Sequence, residues 1–387
     1  MKNLMLLFLV LMVCCSSSEG DAIGQENDVP PLDADTNEDG ITGPASFFYG
    51  ADLSYVNEML DCGAVFKDYE NVTKDPYTIF KEAGTNLVRV RLWHNPTWTK
   101  YSDFQDVKMT IRRARDEGMA VLLDFHYSDT WADPAKQIIP EAWKSELNNK
   151  EALGELLYGY TYEVLQNLKD EGLLPEMVQV GNEINPMILQ EEELKPMDWA
   201  RNAYLINKGI QAVRDIASET KQEIDVMLHI AQPENALWWF EQANKNGITD
   251  YDWIGLSYYP LWSDYKLDNV GDAFKKLVNT YKKRLMVVET AYPFTMANND
   301  PANNILDENS LISGYPATQQ GQLDYLKSLK SIIENSGGEG LVYWEPAWVS
   351  TGCSTLWGQG SHWDNATLFD HDNRAHLGMT FYNAALK

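Results

Sequence analysis

The sequence predicts a single α/β catalytic domain folded as a (β/α)8 barrel, a TIM barrel, behind an export signal and an acidic tether. Eight short apolar runs recur at intervals of roughly 30 to 55 residues, with amphipathic stretches between them, and this alternation marks parallel strands joined by crossover helices. The runs are apolar on both faces, as strands covered by helices must be. A length of 387 residues suits one barrel with loop insertions.

In chain order, the segment MKNLMLLFLVLMVCCSSSEG comes first. One Lys precedes an apolar run from Leu4 to Val13, roughly half of the ~20 residues that a membrane-spanning helix needs, so the run reads as an export signal. Ending at a Cys pair, it resembles a bacterial lipoprotein signal, in which the Cys that becomes the new N-terminus carries lipid. Cys15 is the expected residue, because the position before it is then the smaller Cys14 and not Val13; Cys14 is the alternative, and a plain cleaved signal peptide is another. Residues 1–15 are assigned to the signal. Residues 16–45, with DVPPLDADTNEDGITGP inside, are acidic, rich in Gly and Pro and without hydrophobic period, and read as a flexible tether. The barrel domain is 46–387.

Within it the candidate strands are FFYGADLS, NLVRVRLW, MAVLLDFH, MVQVGNE, DVMLHIA, WIGLSYY, LMVVET and GLVYWEP. Segments such as DVKMTIRRARDEG and ALGELLYGYTYEVLQNLKDEG carry helical spacing, with Gly118 and Gly172 as their stops. A doubly wound open sheet is the alternative, but no GxGxxG turn follows the first strand and GADLSYV offers no phosphate cradle.

Composition narrows the ligand. A formal net charge of -26 repels phosphate backbones, which argues against nucleic acid. The 13 Trp and 20 Tyr are unusually many rings, of which most are expected to fill the core and some to stack on neutral sugars.

The reacting groups of such a barrel lie at the C-terminal ends of its strands. Those ends hold Asp52, Arg89 and Arg91, Asp124 and His126, Asn182 and Glu183, His229, Tyr258 and Tyr259, Glu289, and Trp344 with Glu345. Polar and aromatic groups converging on one mouth mark an active site. Glu183 and Glu289 each end a strongly apolar strand, where a carboxyl is costly unless it is paired or used. Standing across the mouth, two carboxyls suit acetal hydrolysis: one protonates the leaving oxygen while the other meets the oxocarbenium-like carbon, and a separation of about 5 to 5.5 Å predicts retention through a covalent intermediate. Asn182 is placed to donate to the sugar 2-hydroxyl, Arg91 to keep Glu289 ionised, and Tyr258 to orient it. Taken alone, a strand-end Glu is equally well explained by an ion pair with Arg.

The strand-4 Asn-Glu and strand-7 Glu resemble the clan of retaining (β/α)8 glycoside hydrolases. Within that clan GADLSYVNEM, NLVRVRLWHNP, LLDFHYSDTWADPAKQ, VQVGNEI, IGLSYYP, VVETAYP and YWEPAWV resemble glycoside hydrolase family 53, the endo-β-1,4-galactanases, from about Tyr49 to near the C-terminus. The resemblance implies hydrolysis of β-1,4-galactan or type I arabinogalactan, with Glu183 as acid/base and Glu289 as nucleophile. It implies a sugar-facing shell of Arg91, His126, Asn182 and Tyr258 above Trp344, to which the strand ends add Asp52 and His229. Trp93, Trp131, Trp348 and Trp363 are candidates for stacking on further sugar units, loop packing being the alternative. Other β-glycanases of the clan, acting on mannan, xylan or glucan, and a glycan-binding lipoprotein without catalysis are the rival readings.

No cofactor is expected for catalysis. Some bacterial members of the family hold calcium between the loops after strands 7 and 8, and here Asp300, Asn304, Ser361 and Asp364 are the candidate oxygen ligands, with Asn298 beside them. Solvated loops are the alternative. After export Cys62 and Cys353 remain, in the loops after strands 1 and 8, which neighbour each other in a barrel; they either pair or stay as buried thiols. The expected setting is the bacterial outer membrane, on its cell-surface or periplasmic face, with a lipid anchor as the membrane contact and a monomeric domain.

Overall fold

A computed structural model describes residues 47–356 and 358–386. The lipidation candidates and the whole of the tether lie outside these residues. The described residues form one compact unit.

Eight parallel strands close on themselves in sequence order: β1 Phe48–Asp52, β2 Leu87–Leu92, β3 Ala120–Phe125, β4 Met177–Val180, β5 Asp225–Ala231, β6 Trp253–Ser257, β7 Arg284–Thr290 and β8 Gly340–Tyr343. Closure is made by β1 against β8, with Phe48 opposite Gly340 and Ala51 opposite Tyr343. The outer ring is α2 to α8, after a short α1 (Val56–Asp61) inserted behind β1: α2 Pro76–Ala83, α3 Phe104–Asp116, α4 Lys150–Asp170, α5 Trp199–Thr220, α6 Pro233–Lys245, α7 Val270–Tyr281 and α8 Gln319–Asn335. Local chemistry sets their ends. Asp75, Asp103, Asn149, Asp198 and Thr318 cap N-termini by accepting from first-turn N–H groups. Gly118 and Gly172 follow α3 and α4 in the left-handed conformation, as the sequence predicts.

The strand period of two sorts side chains between the helix layer and the barrel interior. Inward at the N-terminal end, Leu87, Leu122, Met177, Met227, Trp253, Met286 and Val342 form a closed apolar plug. One step further along β2, β3, β4 and β5 the same alternation brings Arg89, Asp124, Gln179 and His229 inward, all buried. A polar belt therefore lies directly under the mouth.

The loops after β1 and β8 are joined by a Cys62–Cys353 disulfide with Cα atoms 5.7 Å apart and a sequence separation of 291. Next to it, Ser354–Thr355 and Gly358–Gln359 form a two-stranded ribbon that the sequence reading did not contain.

Candidate active site

Two local distortions aim the carboxyls. Along β7 the alternation that turns Met286 and Val288 into the plug would send residue 289 outward. A bulge prevents this: Leu256 pairs with Val287 but Ser257 pairs with Glu289, so two β7 residues oppose one on β6. The parity shifts, and Glu289 enters the mouth while Thr290 turns out to hydrogen-bond Tyr325 of α8. At β4 the chain leaves the strand through Gly181 at φ 88° and Glu183 at φ 44°. A Cβ at Gly181 would sit 2.5 Å from Ile184 Cγ2, so glycine is required for the turn that lifts Glu183.

The two acids have different partners. Glu289 Oε1 lies 2.8 Å from Arg89 Nη1. Arg89 also holds Asp52 at 2.8 Å and Asp124 at 2.9 Å, and donates to Asn182 Oδ1 at 2.8 Å. Burial works against the Arg89 charge, but Asp124, Glu289 and Asp52 more than offset it. Glu183 has no cation; its Oε1 accepts from the Ser257 hydroxyl at 2.6 Å. Burial raises the pKa of both carboxyls. At Glu289 the Arg89 charge opposes that rise, whereas at Glu183 the negative charge of Glu289 adds to it. The surrounding charges therefore favour the proton on Glu183 and the negative charge on Glu289.

Adjoining cavities of about 410 and 550 Å³ flank the pair and share Asp133, Glu183, Glu289, Ile305 and Trp344. Asn182, Trp131 and Trp348 line the first; Gln232, Asn235, Tyr259, Trp262 and Trp363 line the second. Trp344 stands edge-on to Trp363, with ring centroids 4.7 Å apart, as the wall common to both halves.

Several predicted residues lie elsewhere than expected. Arg91 does not reach Glu289: it pairs with Glu345 at 2.8 Å and donates to Ser102, inside a cage of Tyr55, Trp93 and Trp131 rings. Arg89, two residues earlier and one layer deeper, takes the role assigned to it. The Tyr258 ring turns into the helix layer, its hydroxyl donating to Tyr265 O at 3.3 Å and its ring edge-on to Phe274. Tyr259 faces the carboxyls instead, its phenol raised by burial and by the charges of Glu289 and Glu183. Asp52 is fully buried beneath the cleft, held by Arg89 and by the N–H and hydroxyl of Ser54. His126 sits behind the wall: Nε2 lies 3.1 Å from Asp124, Nδ1 accepts from Ala132 N, and burial keeps the ring neutral. Trp93 packs with Trp98, His126 and Trp131 and borders a separate side cavity. His229 is fully buried, sandwiched between Ser257 and Asn182.

Gln179 and Ser257, both inward-facing in the belt, were not singled out in the sequence; stepping back two residues from Gly181 along β4 would have found Gln179. Gln232 and Trp262 have no sequence signal beyond following β5 and β6. Gln232 is buried at φ 66° with its Oε1 unpartnered, and Trp262 is half exposed.

The calcium candidates do not fit a cation. Asp300 accepts from Ala302 N and Ser361 N through its two oxygens. Asp364 accepts from Asn304 Nδ2 through one oxygen and from Asn299 N and Ser350 Oγ through the other. Ser361 Oγ donates to Trp348 O, and Asn304 turns its amide N–H to Asn298 as well. No group of three or more His, Cys, Asp or Glu able to hold a metal occurs among the described residues. Asp300 lies so close to Gly360, at φ 100°, that a Cβ there would be 2.3 Å from it. The β7 and β8 loops are thus joined by hydrogen bonds at the positions where the ion was expected.

The Glycosyl hydrolase family 53 model matches residues 48–382, which spans all eight strands and both carboxyls. The chain belongs to glycosyl hydrolase family 53. Among its family relatives, an arabinogalactan endo-β-1,4-galactanase of Cellvibrio japonicus is 53% identical over 89% of this chain and 93% of its own length. An endo-β-1,4-galactanase of Bacillus subtilis is 36% identical over 94% of this chain and 87% of its own. The family 53 catalytic domain of Ignisphaera aggregans superposes with a TM-score of 0.81 at 29% identity, covering 89% of this chain and 98% of that one. Family membership therefore rests on a match across the whole barrel, not on the Asn-Glu pair alone.

Proposed function

We propose that this family 53 chain hydrolyses internal β-1,4-galactosidic bonds of galactan and type I arabinogalactan with retention of configuration. The observation that carries the mechanism is the unequal setting of the two acids: Glu289 is paired with Arg89 at 2.8 Å, and Glu183 has only the Ser257 hydroxyl. In the first half-reaction a Glu289 oxygen attacks the anomeric carbon while Glu183 gives its proton to the departing glycosidic oxygen, leaving a glycosyl ester on Glu289. In the second, ionised Glu183 takes a proton from water, the water oxygen attacks the same carbon, and Glu289 leaves as carboxylate. Asn182 faces the sugar being cleaved, on the side of Trp131 and Trp348. The departing chain lies toward β5 and β6, past Gln232 and Trp262. The naming of the C. japonicus and B. subtilis relatives supports galactan as the polymer.

The test is incubation with galactan, arabinogalactan, mannan, xylan and cellulose, followed by analysis of product sugars. Shortened galactan chains are expected; cleavage of another polymer with galactan intact would favour the rival glycanase readings, and no cleavage of any would favour a glycan-binding role.

We further propose that the chain is exported and lipid-anchored through Cys15, or through Cys14, with residues 16–45 as a tether between the outer membrane and a monomeric barrel. The apolar run ending at the Cys pair supports this. Metabolic labelling with a fatty acid should mark the wild-type chain and be lost on replacing both cysteines with Ser; label retained in that variant would exclude the anchor.

A further inference from the structure

We propose that Gln232 is a specificity-determining residue on the leaving-group side of the cleft, where its side-chain amide binds a hydroxyl of the galactose unit whose linking oxygen Glu183 protonates. The inference rests on the retaining galactanase reading above and adds to it the group that recognises the departing sugar.

The starting observation is a buried amide with nothing to bind. Gln232 is 8% exposed and lines the second cavity together with Glu183, Glu289 and Trp262. Its backbone is fully engaged: the N–H donates to Ser257 O at 3.0 Å, and the carbonyl accepts from Ala236 N at 3.2 Å. Its side chain makes no hydrogen bond among the described residues, and Oε1 is left buried without a partner. An amide so placed is costly unless a group from outside the chain completes it. A half-turn of the amide exchanges its oxygen and nitrogen, and a sugar hydroxyl both donates and accepts, so either end of the amide finds a partner in a sugar.

The backbone at this position supports a functional use. Gln232 has φ 66° and ψ 136°, a conformation that glycine adopts freely and a residue with a Cβ adopts only under strain. It is also the N-cap of α6. At the same position of α2, α3, α4, α5 and α8 an Asp, Asn or Thr side chain accepts from first-turn N–H groups, but Gln232 makes no such bond. Neither the turn nor the helix start accounts for a glutamine here; the cavity does.

An aromatic platform is fixed to the same turn. Glu234, in the first turn of α6, accepts from Ser263 Oγ at 2.9 Å and from Asp264 N at 3.0 Å, which ties the loop carrying Trp262 to the helix that Gln232 begins. Trp262 is 49% exposed and stands edge-on to Tyr259, with ring centroids 5.1 Å apart. A ring free to stack on the apolar face of a pyranose and an amide free to bind at its edge are the two elements that sugar recognition needs. The acid is close by, because Ser257, whose carbonyl holds the Gln232 N–H, donates its hydroxyl to Glu183 Oε1 at 2.6 Å. Glu183 protonates the oxygen on C4 of the departing galactose. The hydroxyls flanking that oxygen are those on C3 and C6, and one of these is the group the amide binds.

The test compares kcat/KM on galactan, whose leaving group is a sugar, with kcat/KM on an aryl β-galactobioside, whose leaving group carries no sugar hydroxyl. Gln232→Met keeps the length of the side chain and removes the amide. The ratio of the two constants should fall about tenfold, the worth of one hydrogen bond to a buried amide, and as a ratio it does not depend on how much of the variant folds. Transfer reads the contact directly: methyl β-galactoside, added with the aryl substrate, enters from the leaving side and diverts product from hydrolysis to a longer galactoside. With the wild-type chain, either the 3-deoxy or the 6-deoxy acceptor should be transferred about tenfold less well than methyl β-galactoside, and in Gln232→Met that difference should vanish. An unchanged ratio, no deoxy penalty with the wild-type chain, or a penalty that persists in Gln232→Met would overturn the proposal. Galactan left intact by the wild-type chain, or α-configured first products, would instead overturn the retaining galactanase reading, and the proposal with it.

Discussion

Arg89 and Glu289 form an ion pair at 2.8 Å in which Arg89 is almost fully buried and simultaneously binds Asp52 and Asp124. One cation thus faces three carboxylates, with Glu289 nearest the cleft. Asp52 and Asp124 hold the guanidinium in place, and it in turn keeps Glu289 charged against the effect of burial.

Replacing Arg89 with Met should move the acid limb of kcat/KM upward. In the proposed mechanism Glu289 works as carboxylate; its pKa is already raised by burial, and Arg89 is what opposes the rise, so without Arg89 more of the enzyme is protonated at a given pH. An upward shift of about one to two units is expected, read from the pH profile on galactan. The same change leaves Asp52 and Asp124 buried without their cation, so the variant should also lose roughly 3 to 5 kcal/mol of stability in a denaturant titration.

The two acids should answer differently to azide. Glu183→Ala removes proton transfer but not the nucleophile, so galactan turnover should fall about 10²- to 10⁴-fold, and an activated substrate with azide should yield a β-galactosyl azide. Glu289→Ala should abolish turnover without unfolding the barrel, and azide entering from the vacated face should yield the α-azide. Identical azide products from both variants would assign the roles wrongly.

Cys62→Ala should lower the melting temperature and leave the carboxyl pair intact. The bond closes a 291-residue span, for which chain entropy alone gives an upper bound of about 5.7 kcal/mol. Calorimetry with and without reductant checks this, and kcat on a short substrate should change far less than the melting temperature.

A chelator should leave the melting temperature of the chain where it was, because the oxygens between the β7 and β8 loops are occupied by N–H and O–H donors. Asp364→Ala, by contrast, should cost about 1 to 3 kcal/mol by stranding Asn304, Asn299 and Ser350. A chelator-induced drop restored by calcium would show that the loops rearrange around an ion.

The strand ends were legible because a barrel converts each apolar run into a spoke and its last residues into the mouth. What sequence could not show is parity. Glu289 faces inward because of a bulge, and no residue type in LMVVET announces one. Tyr258 and Tyr259 are adjacent and identical in chemistry, and the alternation that turns Trp253 and Ser257 inward decides which ring meets the carboxyls. Arg89 and Arg91 point the same way one layer apart, and the deeper one meets Glu289 because Asp52 and Asp124 hold it there. The loops after β7 and β8 are hard to read for a similar reason: an oxygen-rich sequence suits a cation and a hydrogen-bonded seam alike until its N–H and O–H donors are placed beside it.

The most direct measurement is trapping with a 2-deoxy-2-fluoro-β-galactobiosyl fluoride, which slows both half-reactions but the second more, followed by proteolysis and mass spectrometry. The label should reside on Glu289 as an ester, stoichiometric with lost activity. Inactivation with the label on Glu183 or Glu345, or hydrolysis of galactan to α-configured first products with no ester formed, would contradict the assignment.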